Sequence, residues 1–190
     1  MGTSRENMRS CFEEKKATEM AAYLLEKSGG KMYYLQLIKL LYIADREALR
    51  RWGYPLTGDS YFSLPHGPVP SRIKDLVTDD PQFSGSKFWT SYIRTENYEV
   101  KLQRKAPLGS LSQADIELLD EIFDKYGQLE RFELADMTHE FPEWQDPQGS
   151  RIPITYEEIL RAVGREEDAE ELVEEIESHN LFMQHLLNSS

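Results

Sequence analysis

The chain has 190 residues, with 22 Lys and Arg against 34 Asp and Glu, so its net charge is −12, and 39% of its residues are hydrophobic. This length and composition predict one folded domain with its own core and exclude a disordered chain. No apolar stretch reaches the roughly 18 residues of a membrane span, the charged N-terminus is unlike a signal peptide, and one cysteine excludes an internal disulfide, so we expect a cytoplasmic protein.

The first third of the chain predicts two helices followed by a loop-rich segment. Apolar residues at helical spacing predict a helix over 12–28, and 32–52 predicts a second helix that is apolar on most of its circumference. We expect this second helix to be central and buried. Turn formers then surround a short strand at 60–64, and Pro70 is expected in the first turn of a helix that ends near Val77.

Residues 87–103 change to a period of two, which is typical of a β-hairpin. Two strands alone are marginally stable, so the hairpin is expected to pack on helices or to pair with the strand near Tyr61.

The rest of the chain is predicted to be helical. Ser112 with Asp115, and Thr155 with Glu158, have the spacing of capping boxes and so begin two helices, and 129–140 predicts a helix between them. The predicted fold is α+β and predominantly helical, with a central buried helix and a small antiparallel sheet.

Charge is distributed unevenly along the chain. Residues 1–111 carry 17 basic and 13 acidic side chains (+4), whereas residues 112–190 carry 5 basic and 21 acidic ones (−16). An acidic surface repels phosphate backbones and attracts basic proteins, so direct nucleic-acid binding is not expected. The alternative is that these charges only confer solubility.

The last predicted helix, 166–187, is acidic with one apolar stripe. The stripe either packs on the domain, or its 181–187 end offers apolar surface to a partner. A homodimer through this helix is a further alternative.

Asp45 lies on an otherwise apolar face of the central helix. Because a buried charge needs a partner, we expect Arg72 or the loop around His66 to supply one. Asp45 then either anchors that loop or belongs to a polar site.

Two histidines are the other polar candidates. His66 stands beside a rigid Gly-Pro loop before a helix N-terminus, which could bind an anion. Together with His139 and Asp45 it could form a two-histidine, one-carboxylate metal site, although sequence spacing does not itself support this. No motif of a nucleotide-binding protein, a serine hydrolase or a zinc protease is present, and no cofactor is expected.

Two groups of residues resemble the motifs of a known family, the Panacea domain of SocA-like antitoxins. The first group is the run 39–46 followed by Gly53, Pro55, Leu56, Tyr61, Gly67, Pro68 and Val69. The second group is Tyr126, Gly127, Leu134, Thr138, His139, Pro142 and Trp144. The resemblance implies a mainly helical domain over 12–165, found in bacteria and phages and encoded beside a toxin that it neutralises by direct binding. The acidic helix 166–187 packs on this domain or extends from it.

The leading hypothesis is an antitoxin that binds a cognate, basic toxin, with aromatic anchors such as Phe182 or Trp144. Candidate residues for partner binding or for the motif are Asp45, Arg46, His66, Gly67, Pro68, Val69, Thr138, His139, Trp144 and Phe182.

Two alternatives stay open. One is an adaptor that delivers the toxin to a ClpXP-type protease through the chain ends 1–9 and 188–190. The other is a metal-dependent enzyme that uses Asp45, His66 and His139. No helix-turn-helix domain precedes the motif, so binding to a promoter is not expected.

Overall fold

The computed structural model describes residues 11–78 and 86–189. Its helices are α1 (Glu14–Lys27), α2 (Tyr34–Trp52), α3 (Ser71–Val77), α4 (Lys87–Tyr92), α5 (Gln113–Tyr126), α6 (Arg131–Thr138), α7 (Tyr156–Ala162) and α8 (Ala169–Asn188). Its strands are β1 (Lys31–Tyr33), β2 (Tyr61–Leu64), β3 (Gly67–Pro70), β4 (Ile93–Glu96), β5 (Glu99–Leu102) and β6 (Ile152–Ile154). The N-terminal end, 1–9, that the adaptor hypothesis uses lies outside the described residues, as does Ser190.

The prediction of a central buried helix is confirmed. α2 buries eleven of its nineteen residues and contacts α1, α3, α5, α6 and α7. It ends at Gly53, whose φ of 79° suits a residue without a Cβ. The two predicted capping boxes, at Ser112 and Thr155, are also confirmed.

The strands form two antiparallel sheets of three strands each, in the orders β1-β5-β4 and β3-β2-β6. The predicted hairpin over 87–103 is correct only in its second part, because 87–92 form α4. The alternation that predicts a strand runs from Trp89 to Arg94. Phe88 and Tyr92 are also four residues apart, as on one face of a helix, and their ring centres lie 5.3 Å apart. The hairpin packs on helices, which was one of the two alternatives, since β5 contacts α1 and α2. The other alternative, pairing with the strand near Tyr61, does not occur, because β5 pairs with β1.

A second correction concerns the Gly/Pro-rich segment. Residues 67–70 form strand β3, and the helix begins only at Ser71. β3 and β6 are the two edge strands of their sheet, where proline is tolerated because one side of the strand needs no N–H donor.

The core has two parts. The larger one surrounds α1 and α2, and the smaller one lies where Tyr42, Tyr61, Leu160 and Ile176 meet beneath α7 and α8. No helix among the described residues is both long and apolar enough to cross a membrane.

Candidate functional site

Asp45 is fully buried on α2 and accepts four hydrogen bonds. One oxygen accepts from the backbone N–H groups of Leu56, at 2.9 Å, and Thr57, at 3.1 Å. The other accepts from the hydroxyl groups of Thr57 and of Tyr61, the latter at 2.8 Å. Burial raises the pKa of Asp45, while these hydrogen bonds act in the opposite direction.

The predicted partners of Asp45 are therefore wrong. The groups that donate to its carboxylate come from residues 56–61 and not from Arg72 or the loop around His66. The physical reason is that the chain reverses direction at 53–55, directly after α2. This reversal brings the backbone N–H groups of Leu56 and Thr57 back to Asp45 on α2. Asp45 holds this return segment on α2.

Asp59 caps the next helix in a similar way. Its carboxylate accepts from the backbone N–H groups of Arg72 and Ile73, in the first turn of α3, at 2.9 and 3.0 Å, and from that of Ser60 at 2.7 Å. Burial raises the pKa of Asp59 to about 7. Asp59 was not among the predicted site residues; an Asp between turn formers is the signal that could have indicated a cap.

Lys39 is a fully buried lysine on α2. Its ammonium donates to the carbonyl of Pro68 at 2.7 Å, and among the described residues no carboxylate forms an ion pair with it. Burial lowers its pKa to about 7. Gly67 lies directly beside it: a Cβ there would stand 2.9 Å from Nζ of Lys39 and would overlap the hydroxyl of Thr138.

We expect Lys39→Met to change how stability depends on pH. The folded state holds the proton of Lys39 less tightly than the unfolded chain, because its pKa falls from 10.5 to about 7. Between pH 7 and 10.5 the unfolded chain binds this proton more tightly than the folded chain does. Lys39 therefore makes the free energy of unfolding of the wild-type chain increase with pH, by at most about 1.4 kcal/mol per pH unit. Lys39→Met removes this contribution to the slope, which urea unfolding across the window measures. Lys105→Met, at a side chain that is 76% exposed, is the control and should keep the wild-type slope. Equal slopes for all three chains would contradict the assignment.

Glu143 joins α2 to the segment after α6. It is buried, and it accepts from the hydroxyl of Tyr42 at 2.8 Å and from the guanidinium of Arg46 at 2.6 Å. The guanidinium also lies 4.0 Å from the ring centre of Phe141. Arg46 was a predicted candidate, but its carboxylate partner was not, since 97 residues separate the two.

The motif residues His139 and Trp144 hold the turn between β2 and β3. Their rings stack with centres 4.2 Å apart. The indole N–H donates to the carbonyl of Leu64 at 3.0 Å, and Nε2 of His139 lies 3.1 Å from the carbonyl of Pro65, within hydrogen-bond distance. His66 itself is exposed at the tip of this turn.

The structure thus brings several motif residues together around the β2–β3 hairpin. We call Lys39, Gly67, Thr138, His139 and Trp144 the hairpin cluster. Two further candidates belong to the same hairpin, since Pro68 supplies the carbonyl that Lys39 binds and Val69 is buried opposite Phe62. Phe182 lies elsewhere, on α8, and is 60% exposed.

The three residues of the metal hypothesis have separate roles. Asp45 binds the 56–61 segment, His139 binds the turn, and His66 faces solvent. Among the described residues, no group of three His, Cys, Asp or Glu side chains is placed to hold a metal ion.

The fold and the hairpin cluster define a mainly helical α+β domain whose buried polar side chains fasten loops to a central helix. The family model described as "Antitoxin SocA-like, Panacea domain" matches residues 37–145, from the first turn of α2 to the residue after Trp144. This is more than half of the chain, which therefore belongs to the SocA-like Panacea antitoxin family. No curated protein and no solved structure matches the chain.

Proposed function

We propose that this chain is an antitoxin that neutralises a cognate toxin by binding and covering its surface. Family membership implies a toxin partner in general. The observation that carries direct binding is the composition of α8 and the residues before it: 166–177 contain eight acidic side chains and no Lys or Arg, and the exposed apolar end of α8 follows. The proposed antitoxin domain is 12–165, with 166–187 as an appended helix.

The exposed end of α8 supports its use as an interface. Leu181, Phe182, Leu186 and Leu187 are 68, 60, 46 and 72% exposed. Large apolar side chains that cluster on a surface are typical of interaction sites. Phe182 is the better of the two proposed aromatic anchors, because Trp144 already packs on His139 and binds Leu64.

The charge of this region supports a basic toxin. Acidic side chains along 166–177 attract a cationic surface before contact, and they repel nucleic-acid backbones. Proteins that act on RNA, DNA or ribosomes commonly carry such cationic surfaces. The chain would therefore act in the cytoplasm as a binding protein and not as a catalyst.

The test is co-expression with the product of the neighbouring gene. Neutralisation restores growth, and the amount of toxin, measured by immunoblot, distinguishes mechanisms. Sequestration leaves the toxin level unchanged, whereas delivery to a ClpXP-type protease lowers it. Failure of every neighbouring product to bind or to be neutralised would contradict the proposal.

We expect association with the toxin to depend strongly on salt. The association rate should fall about tenfold or more between low salt and roughly 0.5 M salt, because screening removes the attraction between the acidic surface and a cationic partner. Stopped-flow mixing measures the rate. A rate that is the same at both salt concentrations would rule out the electrostatic part of the proposal.

A further inference from the structure

A groove of about 680 Å³ runs between α8 and the two chain segments 11–16 and 52–58. Its apolar lining includes Trp52, Leu56, Ile176, Met183 and Leu187. It lies outside the hairpin cluster, and its whole α8 wall is beyond the residues that the family model matches.

The walls of the groove are fixed to one another. The thiol of Cys11 donates to the carbonyl of Asn180 at 3.1 Å, and the backbone N–H of Glu13 donates to the carbonyl of Thr57 at 2.9 Å. A Cβ at Gly58 would stand 2.5 Å from the carbonyl oxygen of Cys11, so this glycine allows the segments to approach. The groove is therefore formed before any partner binds, which lowers the entropy cost of binding.

A glycine also sets the position of α8. A Cβ at Gly53 would stand 2.6 Å from Cδ2 of Leu172, so the end of α2 and the first turns of α8 are in close contact. Ile176, one turn later, is 7% exposed. From there the groove face of α8 opens to Met183 and then to Leu187, which is 72% exposed.

Charge lies along one flank of this groove. Glu175 is in the lining and exposed, and Glu171, one turn earlier, is on the same flank of the helix and exposed. At the same helical spacing this flank continues to Phe182 and Leu186, so it is acidic at one end and apolar at the other. The cation in the lining, Lys16, is paired with Asp115 at 3.1 Å and so does not cancel these charges.

We infer that this groove binds a basic amphipathic helix of the partner. The apolar stripe of that helix enters beside Met183 and Leu187, and its Lys and Arg side chains lie along Glu171 and Glu175. α8 has 20 residues and is about 30 Å long, which matches five or six turns of a partner helix. The inference rests on the proposed function, because it assigns this helix to the toxin.

A second copy of the chain fits the groove less well than a basic helix. Each copy has a net charge of −12, and the dimer would bring two acidic helices together. Like charges at such an interface oppose association, whereas a cationic partner gains from the same charges.

The probe is a displayed library of helical peptides of about 20 residues, with an apolar stripe at i, i+3, i+4 and i+7 and Lys, Glu, Gln or Ala at the other positions. We expect selection on the immobilised full chain to enrich peptides that carry Lys. Cys11 lines the groove and is the only cysteine in the sequence, so bound peptides should slow its reaction with a thiol reagent. Enrichment of Glu, no enrichment, or binding without protection of Cys11 would overturn the inference.

The matched variants are Leu187→Glu and Leu181→Glu. The two leucines are 72 and 68% exposed on the same helix, so both changes add the same charge at little risk to folding, but only Leu187 lines the groove. Leu187→Glu should weaken binding of enriched peptides about tenfold or more, and Leu181→Glu less than about threefold. Equal effects of the two changes would overturn the inference.

Two further measurements separate this inference from its rivals. If neutralisation of the toxin survives Leu187→Glu, the groove is not the toxin site although the antitoxin function stands. If enriched peptides bind but no neighbouring product is neutralised, the proposed function fails while the groove remains a binding site for basic helices. A dimer in sedimentation velocity that Leu187→Glu dissociates and Leu181→Glu does not would assign the groove to a second copy and overturn the inference.

Discussion

Replacing Asp45 by alanine should lower the free energy of unfolding by about 4 kcal/mol, because it leaves the donors of four buried hydrogen bonds without an acceptor. The backbone N–H groups of Leu56 and Thr57 can only donate, and the side chain of Asp45 is fully buried, so water does not replace it easily. For a chain of this size the midpoint of thermal unfolding should fall by roughly 10 °C. Urea unfolding and calorimetry measure both quantities.

Asp45→Asn tests how much of this loss comes from the oxygen that accepts from the backbone N–H groups of Leu56 and Thr57. An asparagine can keep its oxygen toward the N–H groups of Leu56 and Thr57 and donate its amide N–H to the hydroxyl groups of Thr57 and Tyr61, since a hydroxyl can also accept. It should therefore cost less than alanine does. Asp136→Ala, at a side chain that is 82% exposed, is the control and should leave stability nearly unchanged. An Asp45→Ala variant as stable as this control would contradict the role assigned to Asp45.

Much of the fold follows from local signals in the sequence. The apolar circumference of α2 predicted its central place, and the Ser112 and Thr155 caps lie where the capping-box spacing puts them. The errors occur where local pattern is ambiguous. Residues 87–92 fit both a strand and a helix, and β6 has only three residues, one of them Pro153.

The site was harder to predict than the fold, because its contacts join distant parts of the chain. The helical wheel correctly indicated a buried position for Asp45, but not the segment that binds it. Glu143 and Arg46 are 97 residues apart, and Trp144 and Leu64 are 80 apart, so no local pattern pairs them. Lys39 was named only within the motif run 39–46, and its burial depends on strand β3, which the sequence did not predict.

The contacts also explain what the family motif does in this chain. Gly67, Thr138 and Trp144 fasten the β2–β3 hairpin to α2 and to the segment after α6, and they leave little side-chain surface for a partner. The matched region ends at residue 145, before α8. The acidic and apolar surface of α8 is therefore separate from the residues that the family model matches.

Gly67→Ala should give the second large loss of stability, about 3 kcal/mol, from two physical causes. The φ of Gly67 is 99°, a conformation that costs an L-residue of order 1–3 kcal/mol. The new Cβ would also overlap the hydroxyl of Thr138 and stand 2.9 Å from Nζ of Lys39, and both of these side chains are fully buried. Urea unfolding measures the loss. Gly149→Ala is the matched control, since its φ is 84° but nothing lies within 4 Å of its Cβ position, so it should show the conformational cost alone.

A double-mutant cycle with Thr138→Ala separates the two causes. The hydroxyl of Thr138 donates to the carbonyl of Ala135 at 2.7 Å, so its removal has a cost of its own that the cycle subtracts. In the Thr138→Ala background, Gly67→Ala should cost about 1 kcal/mol less than in the wild-type chain, because the overlap with the hydroxyl is gone while the strained φ and the contact with Lys39 remain. Equal costs in both backgrounds would mean that the new Cβ does not clash with Thr138. That result would contradict the close contact between Gly67 and the end of α6. A coupling of the expected sign would show that Gly67 and Thr138, two motif residues 71 positions apart in the sequence, are packed directly against each other.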